Sequence, residues 1–185
     1  MRTYLKEELE RFLEAVDGAL TRPVEVIVIG GTAAALHYGL KHPTRDIDTW
    51  NALDADLTSA VRRAQATTGL QVPVAKSAVA EAPEDFEVRL VRVLPRLTRL
   101  VVRVPEKHDL VLMKTIRGDE HDLQAAEEIH ANSPLDLEIL VRRFEKEMDP
   151  IGPHERFRGH FLALVERLFP EAVDGVFVRL KSKQP

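Results

Sequence analysis

Two carboxylates lie close together near the front of the chain, where Asp46 and Asp48 flank Ile47. The stretch from Asp46 to Asn51 is predicted to be a strand, and side chains two apart in a strand point to the same face. Two negative charges held this close repel each other. A divalent cation removes that conflict, because Mg²⁺ takes one or two protein carboxylates and further oxygens from substrate phosphates. The pair therefore predicts a metal site.

A glycine pair precedes the carboxylates. Gly30 and Gly31 follow the apolar run Val24–Ile29, which is typical of a strand buried on both faces, and they precede an alanine-rich helix. Backbone N–H groups at the start of a helix can hold a phosphate, and Thr32 adds a hydroxyl there. A phosphate site beside a metal site is what nucleotidyl transfer from a triphosphate requires.

Each feature by itself has a plainer explanation. A Gly-Gly pair between a strand and a helix is usually only a turn, and an Asp-x-Asp pair is usually a solvated strand end. Their order along this chain favours the functional interpretation, because strand, Gly-Gly-Thr, helix and Asp-Ile-Asp seldom follow one another by chance. We therefore treat the two features as one candidate site.

The segments around this site predict a mixed fold. A helix from Ala55 to Thr68 follows the carboxylates, with Asp54 as its cap and Gly69 as its stop. Residues 86–93 alternate between apolar and polar for much of their length, so we expect a strand there that pairs with a returning strand in an antiparallel hairpin.

The apolar spacing becomes helical after Pro105 and stays so to near the end of the chain. We therefore expect an α/β (α+β) fold, a mixed sheet flanked by helices. Its core, with an N-terminal helix, is expected over residues 1–104, and a helical C-terminal part packed on that core is expected over residues 105–185.

The composition narrows the environment. The chain has 185 residues, 44% of them hydrophobic and 30% charged, and it has no cysteine. No apolar run is long enough to cross a bilayer, and the acidic N-terminal segment does not resemble a signal peptide. We expect a cytoplasmic protein without a membrane partner.

A net charge of −4 argues against a nucleic-acid-binding surface that covers the whole protein. A local basic patch remains, because the predicted hairpin is rich in arginine. Its members are Arg89, Arg92, Arg96, Arg99 and Arg103, together with Lys107. The patch is either a surface for RNA or an acidic partner, or an outer sheet face that arginine keeps soluble. Trp50, close to the carboxylates, is suited to stacking on a base, although such a residue more often belongs to the core.

Ile29-Gly30-Gly31-Thr32 together with Asp46-Ile47-Asp48 resembles the nucleotidyltransferase fold superfamily of DNA polymerase beta. Within it, the chain resembles the nucleotidyltransferase toxins of bacterial type IV toxin–antitoxin systems and their uncharacterised relatives. The segment Ala33–Gly39 and the residues Thr44 and Arg45 match the pattern of those relatives. A later helix also matches, with Asp109-Leu110, Lys114, Arg117 and Asp122 in the order that the relatives show.

The resemblance implies a role for each matched residue. Asp46 and Asp48 would be catalytic and would hold Mg²⁺ or Mn²⁺, and Gly30, Gly31 and Thr32 would bind nucleotide phosphates. Thr44 and Arg45 would lie at the same phosphates. Lys114 would reach the triphosphate, although a lysine on an apolar helix face can instead extend its amine to solvent.

Two further positions follow from the same resemblance. Asp122 would orient the triphosphate or pair with Arg117, although Ala125 stands where the relatives carry a second aspartate. The superfamily usually has a third metal-binding acid on a later strand. Glu87 is the candidate for that position, and a solvated glutamate on a strand is the alternative.

The resemblance implies an enzyme that transfers NMP from an NTP to a hydroxyl of RNA, such as a tRNA end, or of a protein. A toxin of this kind would have a cognate antitoxin as its partner. Two other readings remain open. One is a catalytically inactive binding module with the same fold, and the other is an enzyme that modifies a small molecule.

Overall fold

The computed structural model describes residues 2–78, 81–148 and 154–181. The chain is mixed α/β, and its front contains all the strands of the described residues. In chain order the helices and strands are α1 (Lys6–Ala19), β1 (Val24–Ile27), α2 (Gly30–His37), β2 (Ile47–Thr49), α3 (Ala55–Thr68), β3 (Val74–Lys76), β4 (Val91–Val93), β5 (Leu100–Val104), α4 (Lys107–Lys114), α5 (Glu120–Asn132), α6 (Leu137–Arg143), α7 (His154–Leu168) and α8 (Val173–Lys181).

The chain divides into two compact units. The first unit comprises Met1–Val79 and Leu90–Pro105, and the second comprises Ala80–Arg89 and Glu106–Pro185. Within the described residues, no helix is long and apolar enough to cross a membrane.

The first unit contains a three-stranded sheet in the order β1-β5-β4, where β1 is parallel and β4 antiparallel to β5. Strands β2 and β3 form a parallel pair. An antiparallel bridge between Val28 and Thr49 joins the end of β1 to β2. Two hydrogen bonds flank that bridge, from Ile29 N to Asp48 O (3.0 Å) and from Trp50 N to Ile27 O (2.8 Å). The hydrogen bonds therefore connect these five strands in the order β3-β2-β1-β5-β4.

One face of these strands packs on helices. Helix α1 is amphipathic, packs against α3, and buries the apolar side that the sequence spacing predicts. Phe12, Leu57, Val26, Ile47 and Leu100, from α1, α3 and three strands, line the same small apolar cavity. The opposite face of the strands carries the polar residues considered below.

Helix α3 confirms the predicted bounds. It runs from Ala55 to Thr68, and the Asp54 side chain accepts a hydrogen bond from Leu57 N at 2.8 Å as its cap. Gly69 ends it in the left-handed conformation, with φ +70°. A cap and a glycine stop are local signals, so the sequence alone places both ends.

The expected strand over residues 86–93 is wrong for its first half. Phe86–Arg89 form a 3₁₀ turn of the second unit, and only Val91–Val93 form a strand. The alternation misleads because Val88 is 84% exposed and Arg89 is held by ion pairs to Asp109 and Glu147. The antiparallel pairing of the hairpin itself is confirmed between β4 and β5.

The described part of the second unit is helical. Its helices pack in pairs, α4 with α5 and α6, and α7 with α5 and α8. A π-helical turn, Phe144–Met148, continues α6. The rings of Phe144 and Phe161 stack with their centroids 4.1 Å apart at the centre of this packing, where both residues are fully buried.

Candidate functional site

The glycine turn lies against one of the two carboxylates. Gly30 opens α2 with φ +67°, a conformation that residues with a side chain rarely adopt. A Cβ atom placed on Gly30 would lie 3.6 Å from Asp48 Oδ2, and one on Gly31 would lie 3.2 Å from Thr44 Cγ2. The start of α2 and the Asp48 carboxylate therefore approach each other closely, and glycine keeps the space between them open.

The two carboxylates share one face of the chain. Ile47 and Thr49 are buried, whereas Asp46 and Asp48 are half-buried. Strand β2 begins at Ile47, later than expected, so Asp46 lies just before it. The burial alternates with the period of two that the sequence predicts.

Two threonines hold the backbone that carries Asp46. The Thr32 hydroxyl, 1% exposed, donates to Asp46 O at 2.6 Å and lies 3.1 Å from the Thr44 hydroxyl. Thr44 in turn exchanges two backbone hydrogen bonds with Tyr4, of 2.7 and 3.0 Å. Thr32, expected at a phosphate, thus uses its hydroxyl inside the protein and positions Asp46.

Arg45 is the exposed cation next to the carboxylates. It makes no hydrogen bond or ion pair with any residue that the structure describes. A guanidinium without a partner is available to an anion such as phosphate.

In the second unit, Lys114 and Arg117 converge on Asp122. Lys114 Nζ donates to Asp122 Oδ1 at 3.1 Å, and Arg117 donates to both carboxylate oxygens at 2.8 and 3.0 Å. Burial raises the pKa of the Asp122 carboxyl, but the hydrogen bonds and charges of Arg117 and Lys114 outweigh it and lower that pKa. Lys114 is 8% exposed, so it does not extend to solvent. The Arg117 side chain is 69% exposed.

The sequence did not predict an ionic network around Asp109, which is fully buried in α4. Arg89 donates to its carboxylate at 2.8 and 3.0 Å, and Arg143 donates at 2.9 Å. Glu147 pairs with Arg89 at 2.6 Å, and Glu106 pairs with Arg143 at 2.6 Å. The sequence carries no clear signal for this network, because Asp109 lies in the first turn of α4, where an acid is ordinary, and its partners are remote along the chain.

Glu106 and His108 extend this network at the start of α4. His108 Nε2 accepts the backbone N–H of Asp136 at 2.8 Å, so the proton of a neutral imidazole lies on Nδ1 and is donated to Glu106. Burial raises the pKa of the Glu106 carboxyl, but the hydrogen bonds from His108 and Arg143 lower it to about 2. The network therefore fixes α4, the helix that ends at Lys114.

The chemistry of the carboxylate pair fits a divalent metal. Asp46 and Asp48 are half-buried oxygen donors beside a turn that glycine keeps open. Mg²⁺ commonly takes one or two protein carboxylates and completes its shell with water and phosphate. Across the described residues, no group of three or more histidine, aspartate or glutamate side chains is placed to hold a metal. Glu87 lies on the exposed 3₁₀ turn and not on a strand.

A glycine turn that opens a helix beside an Asp-x-Asp strand, in a mixed sheet covered by helices, is the layout of the nucleotidyltransferase fold. Residues 5–163 match the family described as "Nucleotidyltransferase of unknown function (DUF6036)", and the chain belongs to that family. The match includes both the glycine and aspartate segment and the helix of Lys114. No curated protein and no solved structure matches the chain.

Proposed function

We propose that the protein is a metal-dependent nucleotidyltransferase that transfers NMP from an NTP to a hydroxyl group of an RNA, such as a tRNA end. The observation that carries the proposal is the approach of Gly30 to Asp48, where a Cβ would lie 3.6 Å from the carboxylate. An open helix start for phosphates and an acidic pair for a metal are thereby adjacent. Family membership supports the same reaction class.

Each site residue of the first unit has its own role in binding the NTP or the metal. The first N–H groups of α2 lack partners within the helix and bind phosphate oxygens of the NTP. Arg45 neutralises phosphate charge, and Thr32 and Thr44 hold the Asp46 backbone in place. Asp46 and Asp48 would hold Mg²⁺ or Mn²⁺, which when bound polarises the phosphoryl group and neutralises charge.

The transfer itself exchanges one bond at phosphorus for another. The acceptor oxygen forms a bond to the α-phosphorus, the bond to pyrophosphate breaks, and the hydroxyl proton leaves to water. The resemblance assigns Lys114 to the triphosphate, and Asp122 accepts a hydrogen bond from its amine. Asp122 keeps both cations in position.

The resemblance to toxins of type IV toxin–antitoxin systems extends the proposal to a biological role. The protein would act in the cytoplasm as a toxin on RNA, and a cognate antitoxin would neutralise it. Induced expression in a bacterial host tests this role. Growth arrest by the wild-type protein that is absent with Asp48→Asn supports it, and equal growth with both proteins contradicts it.

Transfer is tested by incubating the protein with each α-³²P-labelled NTP, Mg²⁺ and total RNA. We expect label in RNA from one NTP, lost with Asp48→Asn and retained with Asp174→Asn, which removes an exposed carboxylate from α8. Label in protein would move the acceptor to a protein hydroxyl. The absence of transfer, together with unchanged NTP affinity in Asp48→Asn, would contradict the proposal and favour an inactive binding module.

A further inference from the structure

The arginines that the sequence assigned to the hairpin separate into two groups in the structure. Arg89 and Arg96 are neutralised, Arg89 by Asp109 and Glu147, and Arg96 by two glutamates of α1. Arg92 and Arg99 are exposed, and neither guanidinium has a hydrogen bond or an ion pair with a residue in the described ranges. These two side chains are free to take an anion.

Strand register places the unpaired arginines beside a third. Arg92 of β4 lies directly opposite Arg103 of β5. Like charges in directly opposed positions of an antiparallel pair repel each other and destabilise the sheet. The charge of Arg103 is compensated by one carboxylate, because its Nε donates to Glu25 at 2.8 Å. The face therefore holds uncompensated positive charge that a bound anion would relieve.

The same face carries Asp48. On β5, Leu100, Val102 and Val104 are buried in the core, so Val101 and Arg103 belong to the opposite face. Val28 and Thr49 are paired by a bridge and Thr49 is buried, so Thr49 lies on the core side of β2. Asp48, its neighbour, therefore lies on the same face as Arg103.

Strand spacing gives the distance between the two charged regions. The strands follow one another in the order β2, β1, β5 and β4. Asp48 lies on β2, Arg103 on β5 and Arg92 on β4. Because neighbouring strands lie about 4.8 Å apart, Arg103 and Arg92 are roughly 10–15 Å from the carboxylate across the sheet. A nucleic-acid strand, which has a phosphate at each nucleotide, can contact the arginines and still place a terminal hydroxyl at Asp48.

An aromatic residue favours nucleic acid over an acidic peptide. Trp50 is half-buried next to the buried Thr49, and its backbone N–H donates to Ile27 O at 2.8 Å. Alternation assigns it to the face of Asp48. Arginines that follow a backbone, with an aromatic ring for a base, are the means by which proteins bind single-stranded nucleic acid. A carboxylate peptide would use the arginines but not the ring.

Arg99 stands one residue before β5, and its carbonyl accepts a hydrogen bond from Val24 N, so it follows the same alternation as Val101 and Arg103. We propose that this face, defined by Arg92, Arg99, Arg103 and Trp50, binds the phosphate backbone of a single-stranded RNA end. The inference rests on the proposed function for the identity of the RNA as acceptor, but the binding itself can be measured without transfer. Arginine suits this contact because its planar fork donates two hydrogen bonds to one phosphate.

The test is fluorescence anisotropy of a labelled tRNA with the full-length protein, without NTP, at several salt concentrations. We expect the Arg92→Gln/Arg99→Gln variant to bind tRNA about tenfold more weakly. The slope of log K against log salt should fall by about one for each arginine removed. Glu25→Gln should bind more tightly, because it removes a negative charge from the face. Arg96→Gln is the matched control, since it removes an arginine that is already neutralised.

The outcomes separate this inference from the proposed function. Unchanged tRNA affinity in the double variant, with intact far-UV circular dichroism, would overturn the inference. Binding of polyglutamate but not of tRNA to this face would also overturn it and assign an acidic protein partner. Weaker tRNA binding in the double variant supports it even if no transfer is found, because NTP is absent from the assay.

Discussion

Removal of the charge on Asp109 should destabilise the second unit strongly. Asp109→Asn keeps the shape of the side chain but leaves Arg89 and Arg143 buried with less compensation. Loss of one partner from a buried ionic group costs about 3–5 kcal/mol. We expect about 3 kcal/mol, the lower end of that range, because Glu147 and Glu106 still pair with the two arginines.

The assay for Asp109→Asn is urea unfolding followed by far-UV circular dichroism. With a urea dependence of about 2–3 kcal/mol per molar, the midpoint should fall by about 1–1.5 M. Trp50 is the single tryptophan and lies in the first unit, so its fluorescence follows that unit separately.

A second substitution shows whether the cost comes from an unpaired charge. Arg143→Met in the Asp109→Asn background removes one uncompensated cation, so the double variant should be less destabilised than the sum of the two single variants. Arg96→Gln serves as the exposed control and should leave the midpoint nearly unchanged. A midpoint for Asp109→Asn that equals the control would refute the reasoning.

Four further substitutions test other parts of the structure. Gly118→Ala should lower the free energy of unfolding by at least about 2 kcal/mol in a urea titration, because its φ is +63° and a Cβ would lie 2.3 Å from the His160 ring. Gly69→Ala is the control, because Gly69 has a φ of +70° but no atom within 4 Å of an added Cβ. It should cost only about 1 kcal/mol in the same titration. The Glu106 carboxyl has its pKa lowered to about 2 from 4.5, so its stabilisation is present above pH 4.5 and is lost as the pH falls towards 2. Glu106→Gln should flatten the unfolding midpoint over that pH range, and an unchanged profile would contradict the pairing. Gly30→Ala should abolish nucleotide transfer while tRNA binding persists, because a methyl group would enter the space beside the carboxylate, and full activity in this variant would contradict the assigned role of the turn.

Local signals in the sequence were sufficient where structure is set by neighbours along the chain. The Asp54 cap and Gly69 stop predicted both ends of α3, and the buried run before Gly30 predicted the turn into α2. The approach of Gly30 to Asp48 also follows from the order of adjacent elements, because a short connection leaves little choice of geometry.

The sequence failed where remote residues decide the conformation. Alternation in residues 86–93 predicted a strand, but ion pairs from Arg89 to Asp109 and Glu147, 20 and 58 residues away, hold a 3₁₀ turn instead. The hydrogen bond from the Thr32 hydroxyl to the backbone of Asp46, 14 residues away, was likewise not expected. Long-range polar contacts of this kind leave no periodic pattern in a sequence.

The most direct test of the proposed nucleotide transfer measures two products in one reaction. Label transferred from α-³²P-NTP to RNA and pyrophosphate released are quantified together for the wild-type protein and Asp48→Asn. The account predicts equal amounts of both in the wild type, a loss of at least about a hundredfold in Asp48→Asn, and a loss of both when EDTA removes the metal. Wild-type protein that binds NTP but releases no pyrophosphate with any NTP or RNA would contradict it.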